Sequence, residues 1–278
     1  MGKGKLFLVS TPIGNLEDMT FRAIKTLQAV SLIAAEDTRR VRKLLNRYQI
    51  SNRVTSYHQH NELTKGKKIL TELMKGTDVA LVSDAGTPGI SDPGYRLVQS
   101  ALEEGIEVVP IPGPNAAIAA LSVSGLPTDS FFYGGFLPPK GGDRKRKLHL
   151  YQSYTTTLIF HEAPHRLVAT LKDIYEVLGN RRLAIARELT KIHEEVWRGW
   201  LNDLMDNLQQ LTLRGEFTLV IEGREKRPPG SSIEVTTIKK DYKELRDKSG
   251  LSQKEAMKQI ARERGISKSE VYKAIVKG

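Results

Sequence analysis

The feature that most constrains this chain is a recurring junction, in which a short apolar run breaks at once into a loop of Gly, Pro, Ser, Asp and Glu. The clearest case is residues 79–94, "VALVSDAGTPGISDPG". Nothing polar alternates within its first four residues, so they read as a strand buried on both faces, with the loop at the strand's carboxyl end. In open α/β sheets ligands sit outside that end. Gly86, Gly89 and Gly94 permit close backbone approach, Pro88 and Pro93 stiffen the loop, and Asp84 and Asp92 supply charge.

The same junction closes predicted strands at 5–9 ("STPIGN"), 31–35 ("AEDTR") and 108–109 ("PIPGPNAA"). Helical patterns fill the intervals. Thr20 is placed to cap a helix carrying Ala23, Ile24, Leu27 and Val30, a basic helix holds Leu44 and Leu45, and helices are predicted at 63–74 and 95–104, with a strand near 54–57. Repeated βα predicts a mostly parallel sheet with helices on both faces.

A second α/β unit begins after "SGLPTDS". It offers strands at 131–133, 157–160, 183–187, 195–197 and 217–221, a helix after "GFLPPKGGDRKRK", another ending at Leu178, and an amphipathic helix with Leu201, Leu204, Met205 and Leu208. Several strands follow one another without a helix, which predicts antiparallel neighbours in a mixed sheet. The segment "GREKRPPGSS" marks a boundary. The fold class expected is therefore α/β: an N-terminal domain over 1–120, a second over 121–225, and a tail over 226–278.

In that tail, "SQKE" at 252–255 and "SKSE" at 267–270 are capping boxes. They open helices with the stripes Ala256, Met257, Ile260, Ala261 and Val271, Ala274, Ile275, on either side of Gly265. This is helix-turn-helix spacing, equally compatible with a small docking bundle. The tail holds 14 Lys and Arg against 7 Asp and Glu, out of a net charge of +11, and a second basic cluster comprises Lys140, Arg144, Lys145, Arg146 and Lys147. The excess raises nucleic acid as a partner. No apolar run reaches membrane-spanning length, the first apolar run is too short for a signal peptide, and Leu6 breaks a myristoylation pattern. With no Cys, and six His outside any metal-ligand spacing, a cytoplasmic protein with neither disulfide nor metal is expected.

The motifs "LFLVSTPIGNLEDMTFRAIKTL", "AAEDTRR", "LVSDAGTPGISDPG", "PIPGPNAAIAAL", "GGFLPPK", "FHEAPHRL" and "ARELTKIHEEV", in this order, resemble the ribosomal small-subunit 2'-O-methyltransferases, a branch of the tetrapyrrole (corrin/porphyrin) methylases. The resemblance implies two α/β domains with S-adenosylmethionine in the cleft between them, a homodimer, and methyl transfer to a cytidine ribose in the decoding region of 16S rRNA. It places cofactor contacts at Pro12, at Asp84, Ala85, Gly86, Thr87 and Pro88, at Ala117 and Ile118, and near Phe160 to Glu162. The alternative it leaves is a tetrapyrrole methyltransferase. Against that, "STPIGNLEDMT" stands where those enzymes carry "GxGPGDPxLLT", and "SDAGTP" where they carry "GDP". A DNA-binding regulator with a ligand-sensing body accounts for the tail but not for "EDTR" or "HEAPHR".

A ribose 2'-OH needs to lose its proton, so a nearby carboxylate or imidazole is expected. Asp37 is the preferred base, with Glu162 and His165 as further candidates. Asn15, Arg39, Arg166, Arg187 and Lys191 are candidates to grip phosphate or ribose. The structural alternatives are that Asp37 caps the helix starting at Thr38 and that Glu162 pairs with Arg166.

Overall fold

Five short runs build the first sheet: β1 (Leu6–Val9), β2 (Leu32–Ala35), β3 (Val54–Ser56), β4 (Val79–Val82) and β5 (Val108–Ile111), all parallel in the order β3-β2-β4-β1-β5. The computed structural model describes residues 2–207, 212–225, 235–249, 251–264 and 268–276. Leu208, Gly265, Ser267 and most of the boundary segment 223–232 lie outside them. β2 and β4 are buried at every position because both faces are covered. Helices α1 (Phe21–Ala29) and α2 (Thr38–Arg47) bring Ala23, Leu27, Val41 and Leu45 onto Val9, Ile33, Ala35, Ala80 and Val82. On the other face α3 (Glu62–Met74) and α4 (Tyr95–Glu103) bring Ile69, Leu73, Leu97 and Ala101 onto Leu6, Leu32, Ala34, Val79 and Leu81. Each fully buried Leu or Ile side chain contributes about 1.5–3 kcal/mol. Thr20 caps α1 through its hydroxyl, which accepts from the Ala23 amide.

The helix α5 (Ala116–Ser124) follows β5 and was not expected from the sequence pattern. Its run "AAIAALSVS" is apolar nearly all round, so it shows no amphipathic stripe. It covers not the first sheet but the second, with Ala117, Ala120 and Leu121 against Ile159, Ala184, Ala186 and Val220.

That second sheet comprises β6 (Phe131–Phe136), β7 (Thr157–Glu162), β8 (Arg182–Arg187), β9 (Glu195–Trp200) and β10 (Phe217–Ile221), in the order β6-β7-β10-β8-β9. Only β6 and β7 pair in parallel. Its other face carries α6 (Gly141–Tyr151), α7 (Leu167–Leu178) and α8 (Leu201–Asp206) over a core that includes Leu158, Phe160, Ile185 and Leu219. β6 runs on past Tyr133 to Phe136 because its register shifts at "GG". A Cβ on Gly134 would lie 2.4 Å from the Phe160 ring, and Gly135 has φ +60, a left-handed conformation that glycine adopts without strain.

The basic cluster on α6 is not a free phosphate surface. Arg144 is 4% exposed, with Nε and Nη2 both 2.6 Å from Asp173 of α7. Lys145 lies 2.5 Å from Glu176, and Arg146 pairs with Asp143. Most of the cluster's charge ties α6 to α7 and to itself.

Residues Met1–Arg224 pack as one body and Glu225–Gly278 as another. In the second, α9 (Val235–Ser249), α10 (Gln253–Arg264) and α11 (Lys268–Val276) close over Ile238, Met257, Ile260, Val271 and Ala274. Ser252 and Glu255 form the expected capping box, with the Ser252 amide 3.0 Å from Glu255. Among the described residues no helix is long and apolar enough to cross a membrane.

Candidate active site

Loops from the carboxyl edge of the first sheet face the second sheet. Two cavities open between them, with volumes of about 340 and 300 Å³. The loops after β1 and β4 are joined by a two-residue antiparallel bridge, in which the Thr11 and Gly86 amides each donate to the other's carbonyl at 2.9 and 3.0 Å. The Thr11 hydroxyl donates to the Ser83 carbonyl, and Ser10 and Thr87 meet through their hydroxyls at 3.1 Å. Gly86 sits at φ +79, where a side chain would add strain.

Two clasps hold these loops to the second sheet. The Ser91 hydroxyl is 2.6 Å from Tyr133 of β6. On the other side Gly14 packs against the loop after β8, where a Cβ would fall 2.5 Å from Lys191 Cγ and 2.9 Å from the Leu189 carbonyl oxygen, and the Asn15 amide donates to Thr190. That loop holds Glu188 and Thr190 at φ +49 and +66, a conformation costing on the order of 1–2 kcal/mol per non-glycine residue. Such strain clusters at functional sites.

The larger cavity has apolar walls from Ile13, Ile90, Phe136 and Leu189, and its floor is formed by the ends of β7 and β10. Asp92, His161 and Glu216 line it and were not singled out as site residues from the sequence, and Glu36, outside the lining, acts on Asp92. Burial pushes the Asp92 carboxyl up to about 6, with Glu36 and Asp84 adding to the effect and a hydrogen bond from Ser83 opposing it. Glu36 is raised as well, first by burial and then by Asp84. Two loops thus bring three carboxyls together, a charge that the protein only partly neutralises, Arg40 lying 3.2 Å from Asp84. His161 is lowered by burial and therefore neutral near pH 7, with Nδ1 3.1 Å from the Thr218 hydroxyl and the Tyr133 and Phe136 rings beside it.

The residues expected from the sequence divide between the two cavities and the scaffold. Gly86 and Thr87 line the larger cavity, Pro12, Asp84 and Lys191 the smaller, and Ala85 both, while Pro88 is buried and lines neither. Ala117 and Ile118 line neither: Ala117 packs against the second sheet, Ile118 is exposed, and both amides donate to the Asn115 side chain, which caps α5 and itself faces the larger cavity. Phe160 points into the core on the far face of the sheet; its chain neighbours His161 and Glu162 reach the cavity instead.

Of the proposed bases, Asp37 is the cap of α2. It accepts the Arg39 amide at 2.8 Å and two guanidinium N–H groups at 3.0 and 3.2 Å, and with these bonds its pKa falls to about 2. It lines neither cavity. Glu162 is fully buried and saturated, accepting from Arg166 at 2.5 Å, the Thr170 hydroxyl at 2.6 Å and the Ala163 amide at 2.7 Å. Arg166 also donates to the Leu137 carbonyl. His165 is exposed in the turn after β7 and lines neither cavity. Arg39 is committed to Asp37, and Arg187 to Glu195 and the Arg214 carbonyl. Burial alone would lower Lys191, but hydrogen bonds to Glu188 and Glu216 outweigh it and keep it a cation.

Residues 5–205 match the family of Tetrapyrrole (Corrin/Porphyrin) Methylases. Proteins described as "Ribosomal RNA small subunit methyltransferase I" from Halalkalibacterium halodurans and Escherichia coli O157:H7 are 50% and 43% identical to the chain. They cover 97% and 98% of it, and the alignments span 94% of each relative. Among solved structures, the methyltransferase CobJ overlays with TM-score 0.58 at 19% identity over 82% of this chain and 97% of its own. A uroporphyrin-III-C-methyltransferase from Thermus thermophilus overlays with TM-score 0.53 at 19% identity over 79% and 92%. The structural matches fix the fold; with the family match and the near full-length relatives, they show that this chain belongs to the tetrapyrrole methylases and, within them, to the ribosomal RNA small subunit methyltransferase I proteins.

Proposed function

We propose that the protein transfers a methyl group from S-adenosylmethionine to the 2'-oxygen of a cytidine ribose in small-subunit ribosomal RNA, acting in the cytoplasm as a homodimer. The observation that carries this reading is the near full-length identity to proteins named for small-subunit rRNA methylation. The substrate position and the dimer follow from the sequence resemblance.

The larger cavity fits the donor. Its apolar walls suit a nucleoside, and Asp92 in its lining, with Glu36 and Asp84 adding negative charge from outside that lining, suits a ligand bearing a sulfonium and an ammonium. When bound, S-adenosylmethionine supplies an electrophilic methyl group for in-line displacement, so the protein's task is chiefly placement. Asp92 holds the cationic end, Ile13, Ile90 and Phe136 exclude water, and Asn115 fixes the start of α5 at the wall. The two clasps keep the walls together. Among the described residues no group of three or more His, Asp and Glu is placed to hold a metal.

Labelled S-adenosylmethionine incubated with the protein and, separately, naked rRNA, small subunits and a tetrapyrrole should label RNA at a ribose. Label in the tetrapyrrole alone would overturn the reading. In the same assay Asp37→Asn should keep turnover within about tenfold of the parent, because Asn caps a helix about as well as Asp. A general base would instead be worth about a hundred- to ten-thousand-fold. A loss of that size, with donor and RNA affinity intact, would restore Asp37 as the base.

A further inference from the structure

The smaller cavity is assigned to nothing so far, and its composition differs from that of its neighbour. Ile13, Ala85 and Glu216 belong to the walls of both, so a group seated in one abuts a group seated in the other. Three cations line the smaller one. Lys191 is held in place by Glu188 and Glu216. Arg40 spends part of its guanidinium on Asp84 while 70% of its side chain stays exposed, leaving N–H donors free. Lys43, one helical turn further along α2, has no ion pair among the described residues. Between the cations Leu16 and Leu44 offer an apolar surface, with Leu16 43% exposed. Cations around an apolar floor match a nucleotide, whose phosphate is anionic and whose base has an apolar face.

We propose that this cavity, between the β1 loop and α2, receives the target nucleotide of the RNA drawn out of its stack, with Lys43 and Arg40 on a flanking phosphate and Leu16 and Leu44 against the base. The proposal rests on the methyltransferase reading and adds the place and residues of substrate entry. The shared wall puts the ribose of a nucleotide so seated next to the donor cavity. The close fit of Gly14 against Lys191 means that this side of the cavity exists before RNA arrives. Extrusion of a single nucleotide is how enzymes acting on a nucleotide's own atoms generally reach them.

The test uses the full-length protein with small subunits or naked rRNA, whichever the parent methylates. Lys43→Glu should weaken RNA binding about tenfold and flatten its salt dependence by about one counterion, since one phosphate contact is lost and a repulsion gained. S-adenosylmethionine affinity by calorimetry should not move. Leu16→Trp, which fills the cavity, should lower kcat/KM for RNA by about tenfold or more with donor affinity again unchanged. RNA affinity and salt slope equal to the parent's in Lys43→Glu, with the melting temperature kept, would overturn the proposal. So would a fall in donor affinity in both variants, which would give the cavity to the donor. If the parent itself labels no RNA, the functional reading has failed, and that result is separate from either outcome for the variants.

Discussion

Glu162→Ala is expected to destabilise the protein by about 3–5 kcal/mol, because removing one partner of a buried ion pair strands the other charge. The glutamate side chain is fully buried and Arg166 is only 18% exposed, so water cannot take over. The fully buried Thr170 hydroxyl would lose its acceptor as well. For a chain of this size the melting temperature should fall by on the order of 10 °C. Glu162→Gln is the sharper variant. It keeps the shape and an acceptor, so it should lower the melting temperature less while leaving turnover within about tenfold at a temperature where it is folded. A catalytic carboxylate predicts the opposite, with turnover down about a hundredfold or more. The pair Glu162→Gln and Arg166→Met should together cost less than the sum of the two, since neither then leaves a bare buried charge. Additive losses would show that the two side chains do not act as a unit.

Asp92→Asn is expected to move stability and donor affinity in opposite directions. With its pKa raised from 3.8 to about 6, Asp92 holds its proton more tightly in the folded protein than in the unfolded chain. The stability this confers is complete below its ordinary pKa and is lost as pH rises through about 6. At pH 7.5 the ionised carboxylate therefore weighs against the fold, and Asn should raise stability by about 1–2 kcal/mol, allowing for screening at a partly exposed group. That advantage should shrink as pH falls below about 6 and vanish near 3.8, where Asp92 is neutral in the folded and the unfolded chain alike. Affinity for S-adenosylmethionine should drop on the order of tenfold to a hundredfold, the worth of a hydrogen bond to a charged group. The parent's donor affinity should also weaken between pH 7.5 and 5 while the variant's stays flatter. Calorimetry at four or five pH values reads both curves; parallel curves would take Asp92 out of the donor site.

Much of the fold was legible because its signals are local. Val79–Val82 and Leu32–Ala35 lack polar residues since both faces are covered, and Thr20, Asp37 and Ser252 announced helix starts through their own side chains. What stayed hidden depends on partners far along the chain. The cluster at 140–147 read as surface charge because its counter-ions, Asp173 and Glu176, come about thirty residues later. α5 carries no stripe, being apolar nearly all round. The site divided in the same way. "SDAGTP" and "HEAPHR" marked strand ends that line the cavities, but only the assembled loops show that Asp92 is squeezed by Glu36 and Asp84 or that Phe160 turns away from the cavity. Arg40 and Lys43 were within reach of the sequence, three residues apart on a helix that opens at the "EDTRR" loop. Arg39, the basic residue beside Asp37, is committed to that carboxylate.

The strand order of the second sheet has a consequence for how the chain assembles as it is synthesised. β10 lies between β7 and β8 and yet is the last of that sheet's described strands to be made. The first sheet needs nothing beyond Ile111, so it can close early from neighbouring βα units. The second must wait for Ile221, and until then β7 and β8 have no central partner and α5, already made, has no surface to cover. Pairings that span so many residues form slowly and leave apolar edges open meanwhile. Assembly of the site therefore ends with β10, whose first residues, Phe217 and Thr218, are part of the cavity wall.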